Sequence, residues 1–306
     1  MRTQPEPPFD KRVVILNPAS GSNDDDFRKR LEKSLQERGA KWEIWETTPD
    51  RGGKALAEQA KSSGVRELVV CGGDGTVMSV VNGLGPSADV TLSIIPGGTA
   101  NLLATALKIP TEPEEAVAVA FEGVLRELDL GRRDETLFAL GVGVGLTERL
   151  ISQASSDAKE KLGRWAYLFA MLKELGARPH RFELKLDDKP PIECRGVAIV
   201  LVNVGEIGNG MRFAPDARPD DGLLDLCVLH RFHFRDLFHL AFHAWTGRLK
   251  QDRQLTFHQA RKIEVAANPP LEVQIDGEPV DAKTPIQAEI LPRALRVRVP
   301  QDAPTT

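Results

Sequence analysis

The sequence predicts an α/β amino-terminal domain built on a mostly parallel sheet, followed by a β-rich carboxy-terminal domain. Three observations predict it. From residue 12 to about 130, short β-branched runs alternate with longer helical stretches, the signature of repeated βα units. Beyond residue 131, apolar runs of strand length separated by turns take over. Three turns rich in Gly, Ser, Thr and Asn follow amino-terminal strands, at the carboxyl ends where open α/β sheets hold ligands.

In chain order, residues 1–11 are proline-rich, lack the apolar core of a signal peptide and read as a flexible leader. Residues 12–130 form the first domain, with strands over 13–16, 42–46, 68–70 and 92–95. Its helices are expected over 24–38, 53–62, 77–82 and 99–107. Residues 131–300 form the second domain, with strands over 138–144, 182–186, 197–204, 224–229, 262–266, 271–275, 286–290 and 295–299. Helical insertions over 147–175 and 234–249 interrupt it, and residues 301–306 read as a tail.

With 306 residues and 41% hydrophobic content, the chain can fill sizeable cores. A formal charge of −4, with no long basic run, argues against nucleic acid as a partner. Cys71, Cys194 and Cys227 are odd in number and lack C-x-x-C spacing, which disfavours a disulfide framework or structural zinc and fits a reducing cytoplasm. No run approaches the ~18 apolar residues of a membrane span, so any membrane contact is expected to be peripheral.

The chemistry concentrates in the turns. Asn17, Pro18, Ala19, Ser20 and Gly21 follow the first strand. Gly72, Gly73, Asp74, Gly75 and Thr76 follow the third, and Pro96 to Asn101, with Gly97, Gly98 and Thr99, follow the fourth. Glycines admit backbone N–H groups close to an anion, and a following helix adds its positive end. A carboxylate at Asp74 would repel phosphate unless a divalent cation lies between them, so the pentapeptide suggests a nucleotide and metal site. No P-loop and no G-x-G-x-x-G occurs.

Asp276, Gly277 and Glu278 read as a tight hairpin turn, or as a turn presenting Glu278 as an exposed general base. Asp216, Asp220, Asp221 and Asp225 fall within one short segment, a set of hard oxygens suited to Mg²⁺ or Ca²⁺, or else a solvated acidic loop. Aromatic and basic residues alternate over 229–253, as in a helix lying in a headgroup layer or one packed on the domain. His239 and His243 there read as polar packing or interface residues. The apolar stretch 163–172 would be core or the lining of an acyl-chain groove.

Taken together and in this order, the motifs at 17–21, 72–76, 96–101 with Lys108, Ile109 and Pro110, 215–226 and 276–278 resemble the catalytic family of soluble diacylglycerol kinases, bacterial lipid kinases and sphingosine kinases. The resemblance covers nearly the whole chain, and GGDGT alone is shared with NAD kinases. It implies that residues 12–130 form an α/β nucleotide-binding domain and residues 131–300 a β-sandwich-like domain, with ATP held in a cleft between them, and with Mg²⁺. Nucleotide contacts carry over to Asn17, Ser20, Gly21, Thr47 (or Thr48), Gly72, Gly73, Asp74, Gly75, Thr76, Gly98, Thr99 and Asn101. It makes Glu278 the catalytic base and Asp74 a catalytic residue. It assigns a structural Mg²⁺ to Asp221 with carbonyls of Arg218 and Leu223. The implied reaction is phosphoryl transfer from ATP to a lipid hydroxyl such as that of diacylglycerol, in the cytoplasm or peripherally at the inner membrane face. The chain departs from the family pattern at Met78, Ser79 and Leu102. Rival readings are an NAD kinase-like enzyme and a non-catalytic nucleotide- or lipid-binding regulator.

Overall fold

The computed structural model describes residues 12–20, 25–38, 42–145, 179–208, 211–212, 214, 216–230, 243 and 252–301. These fall into two compact units, one formed by the chain up to Leu128 together with the segment from Ala294, the other by Asp129–Arg293. The sequence reading placed the last strand in the second domain. That strand, expected over 295–299, instead belongs entirely to the first unit.

In the first unit, strands β1 (Arg12–Leu16), β2 (Trp42–Glu46), β3 (Glu67–Gly72) and β4 (Ser87–Pro96) pair in parallel in the order β2-β1-β3-β4. β1 and β3 are buried almost throughout, as expected of strands covered on both faces. The helices are α1 (Asp25–Glu37), α2 (Gly53–Ser62), α3 (Asp74–Leu84), α4 (Leu102–Ala106) and α5 (Pro113–Glu122). α2 packs on α3, and α1 on α5. α5 is absent from the sequence reading; Pro113 opens it, at the position where a missing N–H costs nothing.

The two expected strands at 286–290 and 295–299 are one strand, β18 (Ile286–Val299). Leu295, Arg296 and Val297 pair in parallel with β4. Arg298 anchors that end through Glu67, 2.8 Å away and largely buried with it.

The second unit holds two sheets. One joins the first part of β18 to β15 (Lys262–Asn268), β8 (His180–Leu186) and β9 (Ile192–Gly196). The other has the order β14-β13-β10-β7-β16-β17, from Leu255–Ala260, Leu224–Leu229, Ala198–Val202, Gly141–Val144, Glu272–Ile275 and Glu278–Lys283. Their inner faces share one core containing Phe138, Phe182, Leu184, Ile199, Leu226, Ile263 and Val273, a sandwich in which alternate residues of each strand face inward.

The expected strand 138–144 is broken in two. β5 (Val124–Arg133) and β6 (Thr136–Phe138) form a hairpin whose pairing stops at Gly131 and Phe138, and β7 starts at Gly141. The N–H groups of Ala139, Leu140 and Gly141 turn instead to a side chain, described below. The expected helices at 147–175 and 234–249 lie outside the described residues, as do residues 163–172, the leader and 302–306. Among the described residues no helix is long and apolar enough to cross a membrane.

Candidate functional site

In the first unit, every strand end carrying an expected nucleotide contact lies on the same edge of the sheet. The registers place Leu16 beside Glu46 and Cys71, and Gly72 beside Pro96. Asn17, Thr47, Gly73 and Gly97 therefore leave the sheet side by side. β1 and β3 are neighbours although β2 follows β1 in sequence, so the chain reverses its winding there, the place where open α/β sheets bind ligands.

Side chains tie these turns together. Asn17 Nδ2 donates to Thr76 Oγ1 at 2.8 Å, and its Oδ1 accepts from the N–H of Ala19. The N–H of Gly73 donates to Ser20 Oγ at 3.2 Å. Asn101, with left-handed φ of 48°, closes its own loop: its Oδ1 accepts from Gly98 N, and its Nδ2 donates to Gly98 O. Asn101 is buried and its amide shapes the loop from within. Thr99 and Gly75 are exposed. Thr47 donates its N–H to Leu16 O, and Thr48 exchanges two main-chain bonds with Arg51, making a tight turn. Gly21 lies outside the described residues.

The glycines are required by close approach. A Cβ on Gly98 would stand 2.5 Å from Gly73 Cα, so any side chain there pushes the two loops apart. α3 begins at Asp74, three residues before the expected start, and no side chain caps it. Its first N–H groups thus lie at the strand end with no intrahelical partner, which suits an anion.

Asp74 itself is braced. Its Oδ2 accepts from Leu102 N at 3.0 Å and its Oδ1 from Leu103 N at 3.1 Å, so it serves the amino end of α4 while keeping a second lone pair on each oxygen. Ser79, one of the departures from the family pattern, also has work. Its Oγ accepts from Lys54 N at 2.9 Å, at the start of α2, where no other side chain caps the helix. Met78 is buried in α3.

In the second unit, Asp276 and Gly277 are the two central residues of a hairpin in which Ile275 pairs with Glu278. Both have positive φ, 50° and 88°, the combination a two-residue turn between twisted strands needs. The Asp276 carboxylate accepts three backbone N–H groups, from Ala139 at 3.1 Å and from Leu140 and Gly141 at 2.8 Å each. The turn is therefore nailed to the β6–β7 junction, and it leaves Glu278 exposed at the start of β17. The hairpin and base readings of this motif are compatible, because different residues serve them.

The acidic loop folds around a residue the sequence reading passed over. Asp129, 1% exposed, accepts from Gly222 N at 2.6 Å and Arg293 N at 2.8 Å, and its own N–H donates to Pro219 O at 2.6 Å. A charge placed between two apolar residues of a strand, Leu128 and Leu130, was the available signal. Asp221 Oδ1 accepts from Leu223 N at 2.9 Å. Burial pushes the Asp221 carboxyl above its ordinary range, and Asp129 and Asp220 push it further, against the Leu223 amide and Arg218.

A hard cation would relieve such crowding of negative charge. Among the described residues no cluster of three or more His, Cys, Asp and Glu could hold one, so a cation at Asp221 would depend on carbonyls such as those of Arg218 and Leu223. The 229–253 segment lies almost wholly outside the described residues. His243 lies within them, with its Nδ1 3.0 Å from the buried Asp252.

Comparison with known proteins extends these observations over both units. Residues 11–133 match the diacylglycerol kinase catalytic domain, and residues 141–299 match the YegS C-terminal NAD kinase beta sandwich-like domain. A diacylglycerol kinase of Bacillus subtilis (strain 168) is 31% identical over 273 residues, covering 87% of this chain and 88% of its own. A diacylglycerol kinase of Staphylococcus aureus is 26% identical, covering 94% and 92%. A crystal structure of a diacylglycerol kinase from Bacillus anthracis superposes with a TM-score of 0.79 over 97% of this chain and 99% of that one, at 24% identity. An NAD kinase from Archaeoglobus fulgidus, in complex with ATP, shares the fold more distantly, with a TM-score of 0.55 at 16% identity over 95% of each chain.

Proposed function

Since this chain belongs to the diacylglycerol kinase and YegS-like family of lipid kinases, we propose that it transfers the γ-phosphoryl group of ATP to a hydroxyl of a lipid such as diacylglycerol, with Glu278 as general base. The observation that supports the assignment of Glu278 is the Asp276 turn, whose three N–H bonds brace the backbone from which the exposed Glu278 side chain projects. In the first unit, the uncapped amino end of α3 and the close-packed Gly73 and Gly98 hold the phosphates. Asn17, Ser20, Thr47, Thr76 and Thr99 line the same sheet edge.

In the reaction, the lipid hydroxyl loses its proton to Glu278 as its oxygen bonds to the γ-phosphorus. The bond from that phosphorus to the β–γ bridging oxygen breaks, and ADP leaves with the electron pair. Positioning and electrostatic stabilisation supply most of the rate. Mg²⁺, when bound, neutralises phosphate charge. Asp74 would contact it through its remaining lone pairs, and Asp221 with the carbonyls of Arg218 and Leu223 would hold a structural ion. A lipid acceptor places the enzyme at the cytoplasmic face of a membrane, as a peripheral protein.

The test is purified protein with labelled ATP, Mg²⁺ and a panel of diacylglycerol, phosphatidylglycerol, sphingosine, ceramide and NAD. A labelled lipid is expected, and Glu278→Gln abolishes it while ATP binding persists. Undiminished turnover by Glu278→Gln removes the base from the mechanism, and label on NAD alone replaces the lipid reading.

A further inference from the structure

Three adjacent strands of the second unit segregate their charges on one face. β8 pairs with β9 so that Arg181 lies opposite Arg195, and Glu183 opposite Glu193. Directly opposed residues share a face of the sheet, and like charges placed so destabilise the pair. β15 extends both rows, setting Asn268 beside Arg181 and Ala266 beside Glu183. One row thus reads Asn-Arg-Arg, and the next Ala-Glu-Glu.

The alternate residues Phe182, Cys194 and Ala267 turn inward and pack on the sandwich core, so both charged rows face away from it. Arg181, Glu183, Glu193 and Arg195 are all exposed. One row further along, Lys185 and Glu264 oppose each other with opposite charges and pair at 3.7 Å. Among the described residues, the side chains of Arg181, Glu183, Glu193 and Arg195 make no such ion pair. A groove of about 710 Å³ is lined by both rows, and the short side chain of Ala266 deepens it between the longer ones.

Each row has its own preference. Two guanidinium forks side by side match the oxygens of a phosphate, and the Asn268 amide adds a neutral donor. The two carboxylates accept from a primary ammonium, which offers three N–H donors. Positions two apart on a strand are separated by about 6.8 Å, and these long side chains can lean together over the shorter span of an ethanolamine chain. An inorganic anion would gain the arginines but face the glutamates, and a simple amine would meet the reverse. Only a ligand carrying both charges relieves both like-charge pairs.

We propose that this groove binds a phosphate ester bearing a primary ammonium, of phosphoethanolamine chemistry, with its phosphate on Arg181, Arg195 and Asn268 and its ammonium between Glu183 and Glu193. The same group exists free in solution and as the headgroup of phosphatidylethanolamine. The site shares no residue with the nucleotide turns, the acidic loop or the Asp276 turn, and stands whether or not the proposed reaction does.

The experiment is calorimetry on the full chain with phosphoethanolamine, inorganic phosphate and ethanolamine, alongside sedimentation with phosphatidylcholine vesicles with and without phosphatidylethanolamine. Phosphoethanolamine is expected to bind at least about tenfold more tightly than phosphate or ethanolamine, and Arg181→Gln with Arg195→Gln to weaken it by about tenfold or more, the scale of one lost hydrogen bond to a charged group. Glu183→Gln with Glu193→Gln should weaken phosphoethanolamine and tighten inorganic phosphate, a crossing that a merely basic surface would not give. Both double variants remove an opposed like-charge pair from an exposed face, so the melting temperature of the ligand-free protein should hold or rise.

Binding of the free compound identifies a soluble ligand. Binding only to vesicles containing phosphatidylethanolamine, lost in both double variants, identifies the lipid headgroup. Binding to neither, phosphate bound as tightly as phosphoethanolamine, or binding unchanged in either double variant overturns the site.

Discussion

Replacing Asp276 with alanine tests whether the turn beneath Glu278 is held as described. The carboxylate accepts three backbone N–H groups, at 2.8, 2.8 and 3.1 Å. Hydrogen bonds to a charged group contribute roughly 1.5–3 kcal/mol each, and the lower end applies to a half-buried carboxylate, which makes about 4–5 kcal/mol for the three. Alanine would also have to adopt the φ of 50°, at a further cost of about 1–2 kcal/mol. The expected loss, about 6 kcal/mol, is as large as the whole stability of many domains. Asparagine keeps one acceptor oxygen and tolerates that backbone conformation, so Asp276→Asn should lose only about 2–3 kcal/mol. Glu278→Gln, two residues away and exposed, should change stability by less than about 0.5 kcal/mol. Urea unfolding followed by circular dichroism ranks the three variants. An alanine variant within 1 kcal/mol of the parent would refute the bracing role, since it would mean that water replaces Asp276 at no cost.

Other outcomes follow from single contacts. Gly98→Ala should weaken ATP binding by at least about tenfold in calorimetry, because the added Cβ stands 2.5 Å from Gly73 Cα and overpacking costs about 1–3 kcal/mol. Ser79→Ala should lower the melting temperature by about 2–4 °C, the effect of losing one helix-capping acceptor worth about 1 kcal/mol in a protein of this size. Asp221→Asn should raise the melting temperature of the metal-free protein at neutral pH and abolish stabilisation by Mg²⁺. The Asp221 carboxyl is raised in the folded state, chiefly by burial, so its contribution to stability is full below the unfolded value and is lost as pH rises through the folded one. The gain from asparagine therefore appears above the ordinary Asp range and vanishes below it; a gain that persists at low pH would mean another cause.

Much of the site was legible as residue positions. The turns at 17–20, 72–76 and 96–101 are marked by Gly and Asn after apolar runs, a local signal, and the parallel sheet brings them to one edge. Less legible was what each side chain does. Asp74 and Asn101 read as nucleotide contacts, and the structure shows that their side chains also hold the amino end of α4 and the Gly98 loop. Ser79 read only as a departure from a pattern, and it caps α2. The broken strand at 138–144 could not be foreseen, because its cause is a carboxylate more than 130 residues away.

By itself the sequence determined the alternation of strand and helix in the first unit, the β-rich texture of the second and the turns that bear the chemistry. Hydrophobic period and backbone-permissive residues act over a few positions and are visible in a single chain. Tertiary structure alone decided which carboxylates brace and which are exposed, that β18 returns to the first sheet, and that the buried Asn203 amide bridges the carbonyls of Asp129 and Ala139. A buried polar group is defined by the partners that replace water around it, and here those partners are main-chain groups brought from distant parts of the sequence by the fold.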